Sequence, residues 1–141
     1  MTIKTQFQVD RHILLVKASG SDDNVDDVIR YGMSVIQKAS ESGCRAILCD
    51  EIDLRYTIDR ADTYQEASFI AENAPHVAWV ALVVHPERAK EAHFWETVVV
   101  NRGLVARVFE SVARARAWLE AAAPAHAGAR AVDRREDLPP T

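Results

Sequence analysis

The segment that decides the fold is residues 77–84, VAWVALVV, the most apolar stretch of the chain. A short, continuous run of this kind is typical of a strand that is covered on both faces of a parallel sheet. The polar turn His85-Pro86-Glu87 follows it and ends it. We therefore expect an α/β domain in which residues 77–84 lie inside the sheet.

The N-terminal side of that segment predicts a hairpin, a helix and a further strand. Residues 3–9 alternate loosely and residues 13–18 form an apolar run, which together predict a β-hairpin whose second strand is interior. Helical spacing then runs from Val25 to Ala39, after a loop that ends in capping residues, and Gly43 supplies the stop. Residues 44–49 predict a short strand, and residues 50–56 a polar connection.

Two more helices and a last strand complete the predicted order. Thr57 is expected to cap a helix that runs to about Asn73, and a third helix closes at residues 101–103. Residues 104–109 predict the fifth strand, and Ser111 caps a fourth helix. The resulting order, ββαβαβαβα, predicts a small, mixed, mostly parallel five-stranded sheet with four helices, since strands that follow one another through a helix pair in parallel.

Composition limits the class of protein. The chain has 141 residues, enough for one domain, which we place at residues 1–123. Residues 124–141 are rich in Ala, Arg, Asp and Pro without apolar periodicity, which predicts a disordered tail. The formal net charge of −4 disfavours nucleic acid as a partner. No apolar stretch is long enough for a membrane span and no signal peptide is evident, so we expect a cytoplasmic protein.

The second half of the chain resembles a known family. Residues 94–103 (FWETVVVNRG), 107–110 (RVFE) and 117–119 (AWL) are similar to the closing helix–strand–helix segment of SpoIIAA-like proteins, which have the STAS fold. The resemblance implies a regulatory or ligand-binding module without a catalytic centre. In bacterial anti-sigma-factor antagonists an Asp-Ser-Ser-Gly-like motif after the third strand carries a phosphorylated hydroxyl. Residues 50–57 lack that motif, so a phosphorylation switch at Thr57 is not expected.

Candidate site residues gather where the parallel strands are predicted to end. Open α/β sheets bind ligands at this edge because loops and helix N-termini converge there. Our candidates for ligand or partner binding are Asp50, Tyr56, Thr57, His85 and, as a possible anion holder at a helix end, Arg102. Capping of helices and turns explains the same residues without any ligand.

Three classes of function stay open at this point. The first is a binding module for an unknown protein partner or a small molecule, in which a partner or a second copy of the chain, forming a homodimer, covers Phe69 if that ring is exposed on its helix. The second is a small enzyme that uses Asp50, Glu51 or His85 as acid–base groups, supported if these side chains converge in a pocket. The third is a binder of lipid or another apolar ligand, supported by a cavity between helices and sheet. No metal-ligand motif or phosphate-binding loop is present, so we expect no cofactor.

Overall fold

The computed structural model describes residues 2–74, 77 and 79–123. The strands are β1 (Ile3–Asp10), β2 (Ile13–Ser21), β3 (Ala46–Arg55), β4 (Trp79–Val84) and β5 (Val105–Phe109). The helices are α1 (Val25–Ser42), α2 (Arg60–Glu72), α3 (Ala89–Asn101) and α4 (Val112–Ala122), with a short 3-10 helix at Pro86–Arg88 before α3. The predicted element order is confirmed. The predicted tail, residues 124–141, lies outside the described residues.

The five strands form one mixed sheet in the order β1-β2-β3-β4-β5. β1 is antiparallel to β2 and forms an edge, while β2 through β5 are parallel to one another. β4 lies between β3 and β5, and its residues from Val80 to Val84 are all buried. Residues 79–84 of the apolar segment therefore lie inside the sheet, as their composition predicts, and the α/β class is confirmed.

Helices cover both faces of the sheet, but unequally. On one face α1 and α3 pack near the strands and form the larger core. α2 packs mainly on α1 and α3 and makes little contact with the strands, so it covers this face from further away. On the other face α4 packs on β3, β4 and β5 around a smaller core that includes Leu48, Ala81 and Leu119.

Most helix ends follow the sequence prediction, and one does not. Gly43 ends α1 with φ 74°, and Ser111 caps α4 by accepting a hydrogen bond from the Arg114 N–H. α2, however, begins at Arg60, and its cap is Asp59 rather than Thr57. The predicted Thr57 cap is wrong because the Thr57 side chain is bound elsewhere, as described below.

The boundary of β3 also differs from the prediction. The polar residues 50–55 continue the strand instead of leaving the sheet, because the Lys17 Nζ of β2 lies 3.3 Å from an Asp50 oxygen and 3.1 Å from an Asp53 oxygen. Lys17 lies opposite Asp50 but Ser19 lies opposite Asp53, so β3 has one extra residue here, a β-bulge. The bulge lets Glu51 and Leu54, three residues apart, both face the helices α1–α3.

Candidate functional site

A cavity of about 310 Å³ lies between the sheet and helices α1, α2 and α3. This volume is at the lower end of the roughly 300–1,000 Å³ that is usual for small-molecule sites. Most of its lining is apolar, for example Val28, Val35, Ile47, Ile70, Leu82 and Val84. The cavity exists because α2 rests on its neighbouring helices and leaves the space above β3 and β4 partly unfilled.

A buried carboxyl group, that of Glu51, faces this cavity. The Glu51 side chain follows the bulge of β3 and is only 3% exposed. The Tyr31 hydroxyl, from α1, donates a 2.7 Å hydrogen bond to Glu51 Oε2, and the Tyr56 hydroxyl donates a 2.8 Å bond to Glu51 Oε1. Burial raises the pKa of both phenols, so they are protonated donors at neutral pH.

The Glu51 carboxyl titrates near neutrality. Burial raises the pKa of Glu51 to about 7, while the hydrogen bonds from Tyr31 and Tyr56 and the positive charge of Arg88 act in the opposite direction. The nearby charge of Asp50 raises this pKa further. A substantial fraction of Glu51 is therefore protonated at physiological pH.

A second buried carboxyl group, Glu66 of α2, lines the same cavity. Burial and the charge of Glu51 raise the pKa of Glu66 to about 8, and a hydrogen bond from Trp95 opposes them. Glu66 approaches α1 closely because Gly32 has no side chain: a Cβ there would lie 2.5 Å from Ile70 Cδ1 and 3.8 Å from Glu66 Oε2. The missing side chain at Gly32 thus allows α2 to approach α1 closely enough for the Glu66 carboxyl group to line the cavity.

Arg88 supplies a positive charge at the cavity. Its Nη2 donates hydrogen bonds to the main-chain oxygens of Glu51, at 2.6 Å, and Ile52, at 3.3 Å. Its guanidinium carbon lies 6.0 Å from the centre of the Tyr56 ring. The Nη1 atom is buried and has no hydrogen-bond partner among the residues that the structure describes. Arg88, the last residue of the short 3-10 helix before α3, therefore links that helix to β3 through Nη2. Its Nη1 group stays available as a donor.

Tyr56 is the one of our five predicted site residues that the structure places in the cavity. Asp50 lies on the opposite face of β3, where it binds Lys17 and accepts a hydrogen bond from the Ile52 N–H. The main-chain N–H and the hydroxyl of Thr57 donate 2.7 Å and 2.8 Å hydrogen bonds to the buried carboxylate of Asp22. Thr57 thus joins the loop before α1 to the loop before α2.

The other two predicted residues lie on the surface. His85 is exposed, and its Nδ1 accepts a hydrogen bond from the Glu87 N–H at 3.1 Å, which caps the short 3-10 helix. Arg102 donates a 2.8 Å hydrogen bond to the Tyr64 hydroxyl and stacks over that ring. Asp50, Glu51 and His85 therefore do not converge. Across residues 2–74, 77 and 79–123 no group of three His, Cys, Asp or Glu side chains is placed to hold a metal ion.

The sequence analysis missed Tyr31, Glu66 and Arg88. A glutamate in a helix is normally assigned to the solvent face, so Glu66 was not among the candidate residues. The buried residues of α2 are Thr63, Glu66, Ala67 and Ile70. These positions have helical spacing, i, i+3, i+4 and i+7, so the sequence allowed a helix face that includes a buried glutamate.

The order of the strands, the antiparallel edge and the placement of the helices are those of a SpoIIAA-like (STAS) fold. An uncharacterized protein with a SpoIIAA-like fold from Shewanella loihica superposes with a TM-score of 0.53 and 18% identity, over 84% of this chain and 94% of that one. An anti-sigma factor antagonist from Mycobacterium paratuberculosis superposes with a TM-score of 0.57 and 12% identity, over 84% and 95%. No family model and no curated protein matches the chain.

The fold predicted from the resemblance is thus confirmed, and at these identities the likeness concerns the fold alone. Within the described part of the chain, none of the helices combines the length and the apolar character needed to cross a membrane. The predicted cytoplasmic location, the homodimer and the binding roles of Asp50, Thr57, His85 and Arg102 stay predictions.

Proposed function

We propose that the protein is a non-enzymatic binding module that takes a small, largely apolar molecule into the cavity beneath α2. The observation that carries this proposal is the cavity of about 310 Å³, whose apolar wall surrounds the hydrogen-bonded carboxyl group of Glu51. A ligand whose shape matches an apolar cavity gains packing contacts with its wall. A mostly apolar wall with a few polar groups is the usual composition of a ligand pocket.

The contacts favour binding over catalysis. An acid–base enzyme built on Asp50, Glu51 and His85 needs these groups together, but Asp50 binds Lys17 on the other face and His85 caps a surface turn. The Cys49 thiol lines the cavity, and burial raises its pKa, so it is a poor nucleophile. The Glu51 carboxyl group accepts hydrogen bonds from two tyrosine hydroxyls, which fix its orientation. This arrangement suits the binding of a polar group of a ligand.

The regulatory part of the proposal concerns α2. This helix closes the cavity with Thr63, Glu66 and Ile70, and its outer side carries the exposed rings of Tyr64, 48% exposed, and Phe69, 39% exposed. A ligand that moves α2 would alter the surface that these rings form. A solved structure with the same fold, that of an anti-sigma factor antagonist, supports a protein as the partner that recognises this surface.

Tryptophan fluorescence tests the proposal, because the chain has three tryptophans and only Trp95 lines the cavity. Trp79 and Trp118 pack against the core on the α4 side of the sheet. A Trp79→Phe, Trp118→Phe protein therefore reports on the cavity alone. We expect at least one of three probes, phenylbutylamine, phenylbutanol or phenylbutyrate, to change its emission in a saturable way. Native mass spectrometry of the full chain should show the added probe mass.

A blocking variant and a matched control locate the binding. Ala92 of α3 is buried and lines the cavity, so Ala92→Phe places a ring in the space and should abolish the response. Ala117→Phe adds the same ring on the exposed surface of α4 and should leave it unchanged. A wild-type protein that binds none of the three probes would contradict the proposed function.

A further inference from the structure

The buried carboxyl groups of the cavity already accept hydrogen bonds from neighbouring side chains. The hydroxyls of Tyr31 and Tyr56 donate to the two oxygens of Glu51, and a hydrogen bond from Trp95 goes to Glu66. Each carboxylate oxygen has about two lone-pair sites, so Glu51 still has room for further donors after both tyrosines are bound. Glu51 can therefore accept a hydrogen bond from a further donor inside the cavity.

Charge leads to the same conclusion. Glu51 on β3, Glu66 on α2 and the exposed Glu91 of α3 line one cavity, and the charge of Glu51 makes ionisation of Glu66 less favourable. The further titratable or charged groups that act on Glu51 are Tyr31 from α1, Cys49, Asp50 and Tyr56 from β3 and the loop after it, and Arg88 from the short 3-10 helix. The Arg88 guanidinium is directed by its Nη2 to main-chain oxygens rather than to either carboxylate. A second positive charge would allow both carboxyl groups to ionise.

Aromatic rings complete the site. Tyr31, Tyr56 and Trp95 all line the cavity together with the two buried carboxyl groups. The face of an aromatic ring attracts cations, and this attraction grows when the cation is removed from water. Rings and carboxylates around an otherwise apolar space are the chemistry that recognises an organic cation with an apolar body.

We propose that the ligand is an apolar amine whose ammonium group lies between Glu51 and Glu66 and whose hydrocarbon part contacts the wall formed by Val28, Ile70 and Leu82. This inference rests on the proposed function, because it names the class of molecule that the same cavity binds. The ammonium group donates to the unused lone pairs of both carboxylates, and its charge offsets theirs. The competing ligand is a carboxylic acid held by the unpartnered Nη1 of Arg88, which two carboxylates in the same cavity oppose.

Comparison of the three probes separates these ligands, because they share one apolar body and differ in the polar group. At about pH 8.5 we expect phenylbutylamine to bind to the Trp95-only protein at least about tenfold more tightly than phenylbutanol, with phenylbutyrate the weakest. At about pH 6 both carboxyl groups are protonated, so the amine should bind about tenfold more weakly than at pH 8.5, while the affinity for the alcohol changes by less than about twofold.

Single substitutions assign the preference to the carboxyl groups. Glu66→Gln and Glu51→Gln should each reduce the preference for the amine over the alcohol to less than about threefold, and the unchanged affinity for the alcohol shows that the cavity is intact. Glu72→Gln makes the same charge change at an exposed position of α2 and should leave the preference as it is. Equal or tighter binding of the alcohol or the acid overturns the amine but not the proposed function, whereas failure of all three probes overturns both.

Discussion

The ionisation of Glu51 depends on two phenol hydroxyls that a conservative substitution removes one at a time. Tyr31→Phe removes the 2.7 Å donor to Oε2 and leaves the ring in place. That hydrogen bond holds the pKa of Glu51 below the value that burial alone would give, so the pKa should rise from about 7 by about one unit. Carbon NMR of the labelled glutamate carboxyl groups measures this shift directly.

A tyrosine outside the cavity provides the control for that measurement. Tyr64 is exposed, and its hydroxyl accepts a hydrogen bond from Arg102. Tyr64→Phe should leave the titration of Glu51 unchanged. A Glu51 pKa that stays the same or falls in Tyr31→Phe would mean that the phenol does not stabilise the carboxylate.

Thr57 has a structural role that its position before α2 conceals. Its N–H and hydroxyl both bind the Asp22 carboxylate, which is 2% exposed. Thr57→Val keeps the size of the side chain but removes one of these two bonds from a buried charge. The free energy of unfolding should fall by about 1–3 kcal/mol in denaturant titrations.

The matched variant is Thr97→Val on α3, because the Thr97 hydroxyl donates to the main-chain oxygen of His93 on an exposed helix face. Loss of that bond leaves no buried charge without a partner, so the effect should stay within about 0.5 kcal/mol. Equal effects of the two substitutions would show that Thr57 and Asp22 contribute nothing particular to stability.

At the scale of single elements, apolar periodicity predicted most of the fold. The runs at residues 13–18 and 77–84 identified interior strands, and Gly43 marked a helix end, because each signal lies within a few neighbouring residues. The true end of β3 was not predictable in this way. Residues 50–55 look like a polar loop until Lys17, more than thirty residues earlier, is paired with Asp50 and Asp53.

The candidate site was only partly predictable for the same reason. Glu51 and Tyr56 were evident as residues near a strand end, but their meeting depends on a bulge that the pairing of β2 with β3 creates. Glu66 faces inward because Gly32 allows α2 to approach α1. Neither feature can be recognised within one element, since each is a relation between two elements.

At the scale of the whole molecule, the two buried carboxyl groups make stability depend on pH. The pKa of Glu51 is about 7 and that of Glu66 about 8, against ordinary values of 4.5. Between about pH 4.5 and pH 8 the folded protein holds protons that the unfolded chain has released. The free energy of unfolding therefore falls as pH rises through this range. The effect is absent below about pH 4.5 and complete above about pH 8, and its total is at most about 8 kcal/mol.

Denaturant titrations between about pH 5 and pH 8.5 measure this pH dependence. Substitution of one carboxyl group separates its contribution from that of the histidines, which titrate in the same range. Glu66→Gln has no charge to bury, so it should be more stable than the wild type at the alkaline end, with a shallower decline from pH 5, whereas Glu72→Gln should follow the wild-type curve. The surface pair of Asp10 and Arg116 does not interfere, because the arginine lowers the pKa of Asp10 and its effect therefore lies at more acidic pH. An identical pH dependence in wild type and Glu66→Gln would mean that Glu66 is ionised as easily in the folded protein as in water. The cavity would then have no carboxyl group held uncharged on α2 for a ligand to ionise.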